Sequence, residues 1–88
     1  MFKAITIKDT KLQIGSLVKI LRKKQKITQE ELANQLNISR ITIQNLEKGK
    51  NFTVDTLLKV CYHFDILNEL HHILLKYTEE QKNTPNLY

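Results

Sequence analysis

The chain has 88 residues and 41% apolar content, enough for one folded domain with a single modest core. It holds no apolar run long enough to span a membrane, and "MFKAITIKD" lacks the apolar block of a signal peptide, so a cytoplasmic protein is expected. The net charge of +5 is uneven: residues 1–50 carry eleven Lys/Arg against four Asp/Glu, and residues 51–88 carry three against five, a balance that suits an anionic partner for the first half.

The opening "AITIKD" places Ile5 and Ile7 in alternation. It reads either as a short N-terminal strand, paired with a second subunit, or as a disordered end. In "TKLQIGSLVKILRKKQ", Thr10 with Gln13 forms a capping box, and Ile14, Leu17, Val18 and Leu21 make one apolar stripe at helical spacing. Lys19, Arg22, Lys23 and Lys24 then fall where cations complement the helix dipole.

"KITQEELANQLN" repeats the pattern, with Thr28 and Glu31 as the box, Leu32, Ala33 and Leu36 as the buried stripe, and Asn37 able to end the helix in the left-handed conformation. The next stretch, "ISRITIQNLEKGK", has a strand-like centre, because its Ile and Thr residues are β-branched. A helix over residues 39–48 fits it better. Ser39 is a good N-cap, Gly49 is a stop, and Ile43 and Leu46 share one face, with Ser39 and Thr42 flanking. Arg40, Ile41, Gln44, Asn45 and Lys48 share the other face. Arg, Gln and Asn make paired hydrogen bonds to base edges, and an exposed Ile packs on a thymine methyl, although an ordinary solvated surface fits the same pattern.

"NFTVDTLLKVCYHFD" caps at Thr53 and is expected to bury Val54, Leu57, Leu58, Cys61 and Phe64 on one face. "ILNELHHILLKYTEEQK" carries a narrow apolar seam that either packs on its own domain or pairs with its copy. The expected architecture is all-α with five helices and short connections. Its parts are one helical domain over 1–82, with a two-helix unit near 28–48 and the last helix near 66–82, followed by a flexible tail over 83–88.

Several chemistries find no support. Cys61 is the sole cysteine, and His63, His71 and His72 match no standard ligand spacing, so neither a disulfide nor a metal site is expected. Glu30, Glu31 and Asp55 lie in first helical turns, where acids complement the dipole. There is no Gly-rich phosphate loop and no nucleophile–base signature. No enzyme activity and no cofactor are expected.

From "LVKILRKKQKITQEELANQLNISRITIQNLEKGKNFTVDTLLKV", the chain resembles the Xre/Cro-type (lambda-repressor-like) helix-turn-helix family over about residues 12–66. The pieces that carry the likeness are the Arg in the first helix, "TQEELA", "ISRITIQNLEKGK" and "TVDTLLKV". Asn37 stands where the family usually has Gly, and it tolerates the same turn.

The resemblance implies that residues 39–48 are a recognition helix in the major groove of a double-stranded DNA operator. Ser39, Arg40, Ile41, Gln44 and Asn45 would then face bases, while Thr28, Gln29, Lys48 and Lys50 touch the DNA backbone. It also implies a structural ion pair between Arg22 and Glu47. One such unit reads few base pairs, so a homodimer on an inverted repeat is expected, joined through Ile66, Leu67, Leu70, Ile73, Leu74 and Tyr77. The implied role is an autorepressing antitoxin, HipB-like and with a cognate toxin partner, or else a restriction-system controller or small phage repressor. A protein-interaction module that keeps the fold without binding DNA is the rival of another class.

Overall fold

A computed structural model describes residues 4–83. The order is α1 (Ile7–Lys24), α2 (Gln29–Leu36), α3 (Arg40–Glu47), α4 (Val54–His63) and α5 (Leu67–Asn83). Among the described residues no strand is present, so the all-α reading holds and the N-terminal strand does not.

The correction has a local cause. Thr6 and Asp9 form a capping box, with Asp9 N–H donating to Thr6 Oγ1 at 3.0 Å and Thr6 N–H donating to Asp9 Oδ2 at 3.1 Å. The helix therefore starts one turn earlier than the Thr10/Gln13 box suggested, and Ile7 lies inside it. Thr10 instead turns its hydroxyl back to the Thr6 carbonyl at 3.1 Å.

An N-cap hydroxyl also starts the next three helices, where Thr28, Ser39 and Thr53 accept from the N–H groups of Glu31, Thr42 and Thr56, and at α2 Glu31 completes the box. Left-handed residues follow the first four helices: Lys26 (φ 59°), Asn37 (φ 57°), Gly49 (φ 74°) and Asp65 (φ 59°). Each one lets the chain reverse within a few residues.

The core joins α1 to α4 through Val18, Leu32, Ala33, Leu36, Ile43, Leu46 and Val60, with Ile14, Ile27, Ile38, Phe52 and Phe64 packed around it. Two expected faces need revision. On α4 the inward residues are Thr56, Val60 and Cys61, whereas Val54 is 70% exposed and Leu58 is also exposed. Burial of Thr56 is tolerated because its Oγ1 receives a hydrogen bond from Thr53 Oγ1 at 3.1 Å. On α1, Leu17 is exposed and borders an open groove.

Helix α5 stands apart. It contains no buried residue, and its distal turns project from the globule. The Cα radius of gyration is 15.9 Å, against about 12 Å for a compact chain of this length. Helix α5 is described through Asn83, the first residue of the expected tail, and residues 84–88 of that tail lie outside those described.

Candidate nucleic-acid interface

The strand-like "RITI" is the first turn of α3, capped by Ser39. Ile43 and Leu46 are fully buried beneath it, against Leu32, Ala33 and Leu36 of α2. At about 100° per residue, Arg40, Gln44, Lys48, Ile41 and Asn45 then occupy a continuous outward arc of roughly 140°. Arg40, Ile41 and Lys48 are exposed, and Gln44 and Asn45 are half-buried. Ile41 is 64% exposed, an uncovered β-branched side chain amid polar neighbours.

Other candidate residues frame this arc. Ser39 uses its hydroxyl twice within the cap, accepting from Thr42 N–H at 3.1 Å and sharing a hydrogen bond with Thr42 Oγ1 at 2.8 Å. Thr28 is likewise committed to its capping box, its own N–H donating to Glu31 Oε1 at 2.8 Å. Lys48 and Lys50 flank the far end and are exposed, with Lys50 N–H held by the Asn45 carbonyl at 2.9 Å.

Electrostatics at this end depend on Glu47, the only acid in α3. Its carboxylate points inward and is 3% exposed. Arg22 Nε donates to Oε2 at 2.7 Å and Arg22 Nη2 to Oε1 at 3.0 Å, a bidentate pair, while Nη1 donates to the Ile27 carbonyl at 2.9 Å. Burial pushes the Glu47 carboxyl up, but the hydrogen bonds from Arg22 and Gln29, together with the charges of Arg22 and Lys19, hold it below the ordinary glutamate range. The hydrogen bonds it donates to Glu47 raise the Arg22 guanidinium above its ordinary value, against its burial. The outward arc is therefore left with cations only, Arg40 and Lys48, and with Lys50 just beyond them.

Two features were not foreseen from the sequence. Gln29 turns its amide inward, Nε2 donating to Glu47 Oε1 at 2.9 Å, although its position suggested a backbone-phosphate contact. Gly15 sits where α1 crosses the end of α3, and a Cβ there would lie 2.5 Å from the Leu46 carbonyl oxygen and 2.6 Å from that of Glu47. Its signal was present in the sequence: a glycine inside a helix costs about 1 kcal/mol, so one beside an apolar stripe marks a close approach.

The residues of the expected dimer contact fall in two groups. Ile66, Leu67 and Leu70 are half-buried, and Ile66 immediately precedes α5. Ile73, Leu74 and Tyr77 are exposed further along the helix. Ile66, Leu70 and Ile73 line one side of an almost wholly apolar groove of about 380 Å³, facing Ile14 and Leu17 of α1 and Leu57 of α4. Cys61 lies in the groove wall, and burial pushes its thiol up.

His63, at the end of α4, shares a hydrogen bond with Gln25 at 3.2 Å and packs edge-on against Phe64. Among the described residues no three His, Cys, Asp or Glu side chains converge as metal ligands, and no helix is long and apolar enough to cross a membrane.

A helix-turn-helix family model matches residues 18–66, more than half of the chain. No curated protein and no solved structure gives a match.

Proposed function

The chain belongs to the helix-turn-helix family, whose members are DNA-binding regulators of transcription, and from that premise we propose that α3 reads an operator in the major groove. The observation that carries this reading is the outward arc of α3. Arg40, Gln44 and Asn45 supply the side chains that pair with base edges, Ile41 suits a thymine methyl, and the one acid of the helix is folded away against Arg22. Lys48 and Lys50 hold the flanking backbone by charge. Ser39 and Thr28 act at this surface mainly by capping the helices that bear on it.

In the finer form of the proposal the protein is a homodimer joined through α5, acting on an inverted repeat with half-site centres about 10 base pairs apart. It represses its own operon as an antitoxin, with a cognate toxin as further protein partner.

The first test is titration of a random duplex at two salt concentrations. Binding at low salt that weakens steeply at high salt is expected, because phosphate contacts release counterions. Absence of binding even at low salt overturns the DNA reading. For base reading, Asn45→Ala is expected to lose about 1–3 kcal/mol on an operator selected by the wild-type chain, and much less on random duplex. Equal losses on the two would remove Asn45 from the base-reading set. For the antitoxin role, the product of the adjacent gene is expected to arrest growth when expressed alone and to be bound and neutralised when this chain is co-expressed. An adjacent product that is harmless or does not bind the chain speaks against it.

A further inference from the structure

We infer that Gln29 is a positioning residue: its amide clamps Glu47, and through Glu47 holds the C-terminal end of α3 at the angle base reading requires. This rests on the DNA-binding proposal above, and it sets a positioning role against the expected contact between Gln29 and a phosphate.

Gln29 opens α2 and is half-buried. Its Nε2 lies 2.9 Å from Glu47 Oε1. Only the NH2 group can face a carboxylate, since the amide oxygen there would meet another acceptor, so the orientation is chemically forced. One of the two N–H donors of the amide is thus committed inward, which fixes the side chain against the carboxylate.

Glu47, by contrast, is where three elements meet. Arg22 of α1 grips the carboxylate with two nitrogens, and Gln29 of α2 adds the third donor. Beneath them Gly15 lets the α1 backbone rest directly on the Leu46 and Glu47 carbonyls. The groups that act on this carboxylate are Arg22 and Lys19 from α1 and Gln29 from α2. Among these side chains Gln29 alone comes from α2, so it ties the start of one helix of the unit to the end of the other. Removing it leaves the Arg22 grip and the apolar packing of α3 on α2, but loosens the C-terminal end of α3 at the carboxylate. A few tenths of an ångström there is felt by bidentate base contacts, whereas diffuse phosphate attraction tolerates it.

The test uses Gln29→Ala in the full chain, with two readouts. Affinity for an operator selected by the wild-type chain is expected to fall roughly tenfold, the scale of one charge-assisted hydrogen bond, while affinity for random duplex stays within about twofold. In DNA-free protein, the Glu47 carboxyl resonance is expected to titrate at higher pH than in wild type, because a donor to the charged form is gone. A general loss of stability moves neither the operator-to-random ratio nor that midpoint. Equal losses on both duplexes would make Gln29 a phosphate contact and overturn the proposal, as would an unmoved Glu47 midpoint. If the wild-type chain bound no duplex, the DNA-binding reading would fail, and the Glu47 midpoint would still decide whether Gln29 holds the carboxylate.

Discussion

At the scale of single residues, the most consequential group is one that cannot reach DNA. Glu47 is buried, and its charge is tolerated because Arg22 and Gln29 supply three hydrogen bonds to it. A carboxyl held below its ordinary value of 4.5 favours the folded state at neutral pH. The sign follows from linkage: the folded protein binds this proton less readily than the unfolded chain, so stability is gained above the ordinary value and lost as pH falls through the folded one. Glu47→Gln is close in shape to the protonated form. Wild type is therefore expected to be more stable than Glu47→Gln at pH 7, with the gap in thermal midpoint narrowing as pH is lowered below about 4.5. A constant gap would show that the charge of Glu47 contributes nothing.

Among the elements, the contact between α1 and α3 sets where α3, the proposed reading helix, sits. Helix propensity alone favours Ala over Gly at position 15 by about 1 kcal/mol. The close carbonyls oppose it, since a Cβ 2.5 Å from the Leu46 oxygen must drive two backbones apart. Gly15→Ala is expected to lower unfolding free energy by about 1–3 kcal/mol, read from the denaturant midpoint. A gain in stability would mean that the helices separate without cost. Operator affinity should fall with it, because the displaced element is α3 itself.

For the whole molecule, the question is what covers α5. Helices α1 to α4 close one core, while Ile73, Leu74 and Tyr77 remain exposed along a projecting helix beside the apolar groove. A single unit reads too few base pairs for useful specificity, and the proposed pairing of α5 with its copy would answer both demands. Leu74 is the cleanest probe, being 58% exposed, so that a lysine there does not disturb the core. Leu74→Lys is expected to sediment as a monomer with an unchanged helical spectrum, and an unaltered mass would place the subunit contact elsewhere.

What could be read from the sequence was whatever depends on neighbours in the chain. Threonine or serine caps, apolar spacing at three and four residues, and Asn37 and Gly49 as stops act within a turn or two, so five helices and the polar outward arc of α3 were legible. Even locally there was competition: Thr6 with Asp9 and Thr10 with Gln13 both resemble boxes, and the earlier one starts the helix. The rest required the fold. Which side of α4 turns inward is set by its packing against the core that α1 to α3 build, so Thr56 is buried and Val54 is not. The direction of the Gln29 amide depends on Glu47, 18 residues away, and the need for Gly15 depends on α3, which crosses it from beyond α2. Periodicity reports which residues share a face, but not which distant backbone or charge meets that face, because only packing brings those groups within reach.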